Sequence, residues 1–305
     1  MDRYANLFRD LTRTCPSLEV RAEEPMSRHT TFRIGGPAEA YVCPGNEEEL
    51  GKVICLCREH GIPWRVLGNG SNLLVSDRGI EGVVIAMEGN WCHAGAEGNL
   101  IRAGAGELLA RVARVALEHG LTGMEFAAGI PGSVGGALVM NAGAYGSEIK
   151  NILKSARVMT NEGEVLELSR DELELGYRTS CIPDRGYTVL EASFHLEPGE
   201  RAAIEARMKE LAARRREKQP LEYPSAGSTF KRPQGYFAGK LIEDAGLRGY
   251  GMGGARVSEK HCGFVINGGN ATASDVMALC GHIRKTVLEQ SGVELEMEVK
   301  RWGEF

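Results

Sequence analysis

GIPGSVGGALVMNAGAYG, residues 129–146, is the most informative stretch of this 305-residue chain. Six of its eighteen residues are glycine, and none carries a charge. Glycine at this density costs conformational entropy and adds nothing to a packed core. A chain tolerates it where the backbone must approach a ligand closely and present N–H groups to an anion, most often a phosphate. The alternative is a tight loop that serves packing alone.

A second glycine loop, GNGSN at residues 68–72, lies between short apolar runs at 64–67 and 73–75. Taken alone, this pattern is typical of an Asn-Gly hairpin turn. It also suits an anion, because the backbone N–H groups and the Ser and Asn side chains can all face one. Two such loops in one chain predict a single dinucleotide ligand that is held at its pyrophosphate.

The composition narrows the class of protein. Apolar residues make up 43% of the chain and charged residues 25%, which is ordinary for a globular protein. The net charge of −5 provides no basic field for nucleic acid. No apolar run reaches the ~18 residues that span a bilayer, and the N-terminus lacks the apolar core of a signal peptide. We therefore predict a cytoplasmic protein that binds no nucleic acid and does not insert into a membrane.

Metal and nucleotide motifs of the common kinds do not occur in the sequence. The eight cysteines form no CxxC pair and the seven histidines form neither HxxxH nor HExxH, so we expect free thiols and no metal site. The run 104–106 resembles a Rossmann turn, but Leu109 stands at its third glycine position. No P-loop motif occurs. A dinucleotide would be held by a different architecture.

Hydrophobic periodicity predicts three successive α+β units. Asn46 caps one helix, with Glu49 as the partner of a capping box and Gly61 at the end. Further helices are predicted at 107–119, 201–219 and 239–245 and from Ser274 to Gly292, and strands at 64–67, 73–75, 82–87, 100–103, 156–160, 164–168, 187–196 and 262–266. The units end near residues 87, 220 and 292.

The segment Val293–Val299 alternates apolar residues with three glutamates, which predicts a last strand. Glu294, Glu296 and Glu298 would then share one face. A charged, solvent-facing sheet edge explains at least two of them.

Two further segments carry polar groups suited to chemistry. Arg178 lies in YRTS at 177–180 beside a tyrosine, and a guanidinium suits a planar carboxylate, although a surface arginine is the default. Ser228 lies in SAGSTFK at 225–231, a turn of small residues that can expose a hydroxyl. No GxSxG surrounds it, so a hydrolase triad is poorly supported. The residues alone predict an α/β protein that binds a pyrophosphate ligand.

An ordered set of motifs resembles the UDP-N-acetylenolpyruvoylglucosamine reductase family, flavoproteins of bacterial cell-wall precursor synthesis. The motifs are HTTFRIGG at 29–36, GNGSNLL at 68–74, GIPGSVGG at 129–136, NAGAYG at 141–146, YRTS at 177–180, AGSTFK at 226–231, AGKLIE at 238–243 and LEMEV at 295–299. They span nearly the whole chain.

The resemblance implies an α+β fold of the vanillyl-alcohol-oxidase type, also called the PCMH type. Residues 1–88 with 293–305 would form the first FAD-binding subdomain and 89–219 the second. Residues 220–292 would form a C-terminal α+β domain for the UDP-sugar substrate. The family's reaction implies that NADPH reduces FAD and that the enolpyruvyl group of the substrate then takes hydride at C3 and a proton at C2.

The resemblance also assigns roles to residues. Ser228 would give the proton to C2, and Arg178 and Glu298 would stabilise the charge that develops on the substrate carboxylate. An ionised Glu298 would repel that charge, so it must be protonated or neutralised by a neighbouring cation. We therefore expect Arg178, Ser228 and Glu298 to be the catalytic residues.

The glycine loops would hold FAD without a covalent bond, since neither contains histidine or cysteine. The expected cofactor-binding residues are Gly68, Asn69, Gly70, Ser71, Asn72, Gly129, Pro131, Gly132, Ser133, Gly135, Gly136, Asn141, Gly143, Ala144 and Tyr145. The expected substrate-binding residues are Tyr177, Lys231, Arg232 and Lys240. NADPH would be the co-substrate, and we expect a monomer.

Two other functions are open. One is a different FAD enzyme of the same fold, such as an oxidase or a hydroxy-acid dehydrogenase. Those enzymes do not combine YRTS, AGSTFK and LEMEV, and many anchor the flavin covalently. The other is a binding protein that has lost catalysis, against which the presence of Arg178, Ser228 and Glu298 argues.

Overall fold

The computed structural model describes residues 3–305. Its α-helices are α1 (Arg3–Thr14), α2 (Glu47–Glu59), α3 (Leu109–Glu118), α4 (Val134–Val139), α5 (Arg201–Lys218), α6 (Ala238–Asp244) and α7 (Ala273–Ser291). The strands of the first half are β1 (Glu19–Pro25), β2 (Pro37–Cys43), β3 (Trp64–Leu67), β4 (Leu73–Val75), β5 (Ile80–Ala86), β6 (Ala94–Glu97), β7 (Leu100–Gly104), β8 (Leu121–Thr122), β9 (Gly143–Ala144) and β10 (Ser147–Glu148). The later strands are β11 (Leu153–Met159), β12 (Val165–Ser169), β13 (Thr188–His195), β14 (Glu197–Pro198), β15 (Gly251–Met252), β16 (Ala255–Val257), β17 (Val265–Asn267) and β18 (Lys300–Trp302).

The chain divides into two compact units. The first comprises the chain up to Ala22, Ala40–Asn69 and Gly82–Arg214, and the second comprises Glu23–Glu39, Gly70–Glu81 and Arg215–Phe305. In the first unit, an antiparallel sheet has the strand order β12-β11-β13-β7-β6. A further sheet has the order β1-β2-β5-β3. In the second unit, β15, β16 and β17 form one sheet and β4 pairs with β18 in parallel.

The two strands beside the GNGSN loop do not form a hairpin. Strand β3 pairs in parallel with β5, and β4 pairs in parallel with β18. The loop is therefore a connection between two separate ladders, and the hairpin alternative is wrong.

The helix predicted after Asn46 forms as expected. The Asn46 side chain accepts a hydrogen bond from the Glu49 amide, and the apolar face of α2 is buried. The Glu49 side chain does not complete the predicted capping box at the Asn46 amide. Instead, the Glu49 carboxylate accepts from the Ser17 hydroxyl at 2.5 Å and from the Gly45 amide at 2.7 Å. Those hydrogen bonds lower the pKa of Glu49.

Helix α7 crosses the core of the second unit. Its buried side chains are Ala273, Val276, Leu279, Cys280, Ile283 and Val287, which follow the predicted helical spacing. The helix ends at Gly292 in the left-handed region, with φ at 70°. The helix was predicted to be capped by Ser274, but the N-cap is Thr272, two residues earlier, because Thr272 and Asp275 form a capping box there.

The segment 293–299 is not the continuous strand that its alternation predicts. It makes an isolated bridge between Met297 and Phe230, and the strand that follows begins only at Lys300. The alternation still predicts burial correctly, since Leu295 and Val299 are buried and Glu294 and Glu296 are exposed, whereas Glu298 is half-buried. Alternation reports which side chains face the core, but a strand also needs a hydrogen-bonding partner along its whole length.

All eight cysteines lie within residues 3–305 and are free thiols. In the same range, no helix combines the length and apolar character needed to cross a bilayer.

Candidate active site

Gly68 lies against Ser133 in the first unit. A Cβ at position 68 would come within 2.1 Å of the Ser133 hydroxyl oxygen. That hydroxyl caps α4 by accepting from the Gly136 amide at 3.4 Å. The Asn69 side-chain amide donates to the Pro131 carbonyl at 2.5 Å. The two glycine loops are therefore in direct contact at residues 68–69 and 131–136. A side chain at position 68 would displace the Ser133 hydroxyl.

Several backbone amides of these loops are available to an anion. Within residues 3–305, the N–H groups of Asn69, Gly132 and Ser133 donate to no protein acceptor. Gly132 and Ser133 are successive residues, and successive backbone N–H groups can form a concavity that binds an anion. These amides therefore fit a pyrophosphate.

The rest of the GNGSN loop belongs to the second unit. Gly70 is buried with φ at 57°, and a Cβ there would lie 2.0 Å from the His29 carbonyl oxygen. The Thr31 amide donates to the Gly70 carbonyl at 3.2 Å. The Asn72 side chain donates to the Glu298 carbonyl at 3.3 Å. The loop is thus fixed to the HTTFRIGG segment and to the segment that carries a predicted catalytic residue.

Two of the predicted cofactor residues in NAGAYG make contacts within the protein. Asn141 is fully buried, and its side chain donates to the Gly176 carbonyl at 3.0 Å and accepts from the Lys150 amide at 2.9 Å. The Tyr145 hydroxyl donates to the Leu211 carbonyl at 3.3 Å. These side chains brace the glycine-rich stretch against its neighbours in the first unit.

Arg178 lies in a tight turn that is tied to the same glycine-rich stretch. Gly176 and Thr179 exchange backbone hydrogen bonds at 3.1 and 3.4 Å, and the Ser180 hydroxyl donates to the Val139 carbonyl at 3.0 Å. Arg178 has φ at 57°, and its guanidinium lies 5.1 Å from the ring centre of the exposed Tyr177. A left-handed conformation in a non-glycine residue is strained, and such strain is common at functional sites.

Ser228 and Glu298 belong to neighbouring segments of the second unit. The Glu298 amide donates at 2.9 Å to the carbonyl of Thr229, the residue that follows Ser228. Ser228 is exposed and Glu298 is half-buried. The structure therefore brings two of the three predicted catalytic residues together in the second unit, and Arg178 belongs to the first.

The three predicted cationic substrate contacts have partners within the second unit. Lys231 is paired with Glu296, Lys240 is paired with Asp244, and the Arg232 guanidinium lies 4.0 Å from the ring centre of Phe237. Exposed ion pairs are weak. The two lysines can therefore exchange their carboxylate partners for a phosphate at little cost.

Two family models match successive parts of the chain. Residues 38–169 match the model of an FAD binding domain. Residues 219–302 match the model described as UDP-N-acetylenolpyruvoylglucosamine reductase, C-terminal domain.

Curated relatives extend the match to the whole chain. The UDP-N-acetylenolpyruvoylglucosamine reductase of Lachnoclostridium phytofermentans is 54% identical over 98% of this chain and 97% of its own. That of Clostridium perfringens is 51% identical over 99% of both. The chain belongs to the UDP-N-acetylenolpyruvoylglucosamine reductase family. The resemblance drawn from the ordered motifs is thereby confirmed.

Solved structures confirm the predicted fold of this family member. The UDP-N-acetylenolpyruvylglucosamine reductase of Thermus caldophilus matches with a TM-score of 0.81 at 36% identity, over 94% of this chain and 99% of the other. The 4-ethylphenol oxidase of Gulosibacter chungangensis matches with a TM-score of 0.51 at 16% identity, over 65% of this chain and 43% of the other. The second likeness concerns the fold alone.

Thr229 is the residue of this reductase-family site that sequence reasoning overlooked. Its side chain is 1% exposed, and its hydroxyl accepts from the Val265 amide at 2.8 Å. In the sequence, a threonine between Ser228 and Phe230 has no feature that distinguishes it from the other small residues of the turn. The only signal was its position directly after the predicted proton donor, and its buried contacts depend on segments far away in sequence.

Proposed function

We propose that this chain reduces the enolpyruvyl group of UDP-N-acetylglucosamine enolpyruvate to UDP-N-acetylmuramate, with NADPH as the hydride donor and FAD as the cofactor. The observation that supports it most is the coincidence of an FAD binding domain at residues 38–169 with the family's own C-terminal domain at 219–302. The product is a precursor of peptidoglycan.

FAD, when bound, supplies the site from which hydride passes to C3 of the substrate. The residues present fit its pyrophosphate, because the Gly132 and Ser133 amides have no acceptor among residues 3–305 and the second glycine loop lies against Ser133 at Gly68. We assign these groups to the pyrophosphate, with Asn69 and Pro131 holding the two loops together. Asn141 and Tyr145 support the loop through their contacts within the protein.

Ser228 is assigned as the group that gives a proton to C2 of the substrate. Hydride addition at C3 leaves a carbanion-like centre at C2, which is basic enough to take a proton from a hydroxyl that is held in place. Ser228 is exposed, and its backbone is fixed on the C-terminal side by the buried Thr229. The hydroxyl therefore combines access to a ligand with a fixed position.

Arg178 and Glu298 are assigned to the substrate carboxylate, onto which the negative charge at C2 spreads. The Arg178 guanidinium opposes that charge directly. Glu298 can help only as a neutral hydrogen-bond donor or when a cation neutralises it. Tyr177, Lys231, Arg232 and Lys240 are assigned to the rest of the substrate, the three cations to its diphosphate.

A stopped-flow absorbance measurement on the purified protein tests this function. The protein should show a flavin band at ~450 nm, NADPH should bleach it, and anaerobic UDP-N-acetylglucosamine enolpyruvate should restore it. Restoration by oxygen alone would identify a different flavoenzyme of the same fold. A colourless protein that takes up no FAD would favour the binding-protein alternative.

Ser228→Ala tests the assignment of the proton donor. Loss of a positioned general acid costs about 10²- to 10⁴-fold, so we expect the substrate to restore the flavin band that much more slowly. NADPH should still bleach the band at the wild-type rate, because Ser228 has no part in that step. An unchanged rate of restoration would contradict the assignment.

The cytoplasmic location and the monomeric state belong to the proposal as well. Size-exclusion chromatography with light scattering measures the mass directly, and 33.0 kDa is the value expected for one chain. A mass twice as large would overturn the monomer.

A further inference from the structure

We propose that Thr229 is a positioning residue for the proton transfer, holding Ser228 and the Glu298 backbone in one arrangement through three hydrogen bonds of its own. The inference rests on the proposed function and extends it by a buried residue that acts through Ser228.

Thr229 makes a separate hydrogen bond with each of its three polar groups. Its amide donates to the Gly263 carbonyl at 2.9 Å, its hydroxyl accepts from the Val265 amide at 2.8 Å, and its carbonyl accepts from the Glu298 amide at 2.9 Å. The side chain is 1% exposed. The bonds of its amide and hydroxyl go to Gly263, just before β17, and to Val265, the first residue of β17. The bond of its carbonyl goes to the segment that carries Glu298. Thr229 therefore lies between two neighbouring segments and is bonded to both.

The contacts on the β17 side are themselves held by His261. The Nδ1 atom of His261 accepts from the Gly263 amide at 3.1 Å. A Cβ at Gly263 would come within 2.9 Å of the imidazole ring, so the ring packs directly on this backbone. Burial lowers the pKa of His261, which keeps Nδ1 available as an acceptor. The Gly263 carbonyl that receives the Thr229 amide is thus fixed in position.

The bonds of Thr229 restrict the residue before it. Ser228 is preceded by Gly227, where φ is 76° and a Cβ would meet nothing within 4 Å, so this neighbour adds no side-chain contact that would hold Ser228. The peptide between Ser228 and Thr229 is held by the Thr229 amide, which donates to the Gly263 carbonyl. A shift of about 1 Å in a reacting group can cost about 10²-fold in rate. Loss of the Thr229 hydroxyl should therefore weaken proton transfer from Ser228 while it leaves the substrate contacts in place.

Thr229→Val removes the hydroxyl at nearly constant shape, and Thr229→Ser keeps it. In the Val variant we expect the substrate to restore the flavin band about tenfold or more slowly, with little change in the substrate concentration that half-saturates this rate. Bleaching by NADPH should stay within about twofold of wild type, and Thr229→Ser should recover most of the loss. The rate in the Val variant should also gain a larger solvent deuterium isotope effect, because proton transfer then limits it more fully.

Thr160→Val is the matched control. Thr160 is also a buried threonine whose hydroxyl accepts backbone amides, from Glu162 at 3.1 Å and Glu164 at 3.2 Å, but it lies in the β11–β12 turn of the first unit. We expect both half-reactions to keep their wild-type rates. If Thr160→Val slows restoration as much as Thr229→Val does, the effect is one of general stability and the inference is overturned.

A double variant decides whether Thr229 acts through Ser228. In the Ser228→Ala background, Thr229→Val should cost little more, because the group that it positions is gone. Full additivity overturns the inference, as does a wild-type rate of restoration in Thr229→Val. Should Thr229→Val fail to retain FAD, Thr229→Ala is read by the same criteria. A wild-type protein that the substrate cannot re-oxidise contradicts the proposed function instead.

Discussion

At the residue scale, the two glycine loops are determined by what a side chain would collide with. Gly68 faces the hydroxyl of Ser133, and Gly70 combines a positive φ with a carbonyl oxygen 2.0 Å from where its Cβ would be. These are steric demands on single atoms. They explain why the sequence has glycine at these two positions whatever the ligand.

Gly68→Ala should therefore weaken FAD binding and destabilise the first unit. The new methyl group forces the Ser133 hydroxyl away from the Gly136 amide, and loss of an N-cap costs about 1 kcal/mol. The measurement is FAD retained after gel filtration, together with the unfolding temperature of the apoprotein. Gly95→Ala is the control, since a Cβ there meets nothing within 4 Å. Equal FAD retention in both variants would contradict a role of Gly68 in FAD binding.

Glu298 offers a second test at this scale, because its charge state decides its role. If it acts as a neutral hydrogen-bond donor, Glu298→Gln should retain much more activity than Glu298→Ala, since an amide also donates. The measurement is the rate at which the substrate restores the flavin band. Equal losses in the two variants would indicate that the carboxyl acts in another way.

At the scale of elements, the start of α7 is tied to the loop after β4. The Asp77 carboxylate accepts from the Ala273 amide at 2.7 Å, the Ser274 amide at 2.9 Å and the Ser274 hydroxyl at 2.7 Å. Thr272 and Asp275 satisfy further amides through the capping box. The first turn of this helix thus has its N–H groups paired by side chains both near and far in sequence, which satisfies donors that have no partner within the helix.

Asp77→Asn should destabilise the protein at neutral pH by about 1 kcal/mol, because an ionised acceptor at a helix N-terminus is replaced by a neutral one. Burial opposes ionisation of Asp77, but the hydrogen bonds from Ser274 and Ala273 outweigh it and lower its pKa. The ionised form is therefore the one that stabilises the fold.

The pH dependence of the protein's stability follows from the lowered pKa of Asp77. The contribution of Asp77 is complete above the unfolded pKa of about 3.9 and is lost as pH falls through the lower, folded value. Urea unfolding of wild type and Asp77→Asn should thus differ at pH 6 and converge as the pH falls below about 4. Asp184→Asn, at an exposed position, is the control that should match wild type throughout. A constant difference between wild type and Asp77→Asn would contradict the role of the charge.

At the scale of the whole molecule, the residues assigned to catalysis are divided between the two compact units. Arg178 lies in Gly82–Arg214, and Ser228 and Glu298 lie in Arg215–Phe305. The GNGSN loop contains the boundary between Asn69 and Gly70. The assignment of roles therefore requires both units in one enzyme.

FAD should stabilise the whole protein against unfolding, and the pyrophosphate should account for most of the effect. A ligand at 100 times its Kd adds about 2.7 kcal/mol, which raises the unfolding temperature by several degrees. Thermal unfolding of the apoprotein with FAD, ADP or riboflavin separates the contributions. We expect ADP to stabilise and riboflavin, which lacks the pyrophosphate, to do so far less. A riboflavin shift equal to that of FAD would contradict the assignment of the glycine loops.

Local pattern predicted much of this structure. The α2 helix after Asn46 and the β3 and β4 strands follow from periodicity and capping, which act over a few residues. The ordered motifs correctly predicted the family and its fold. The strand predicted at 293–299 was wrong, because strand formation there depends on partners distant in sequence. Met297 forms only an isolated bridge with Phe230, and the ladder with β4 begins at Lys300.

The sequence by itself determined the fold class and the family, because the order and spacing of its motifs can be read without a structure. Only the tertiary structure decided that Gly68 meets Ser133, that Asp77 caps α7, and that Thr229 joins the Ser228 segment to Glu298. Each of those contacts connects residues more than 30 positions apart. Their geometry depends on packing of the whole chain, which no local pattern encodes.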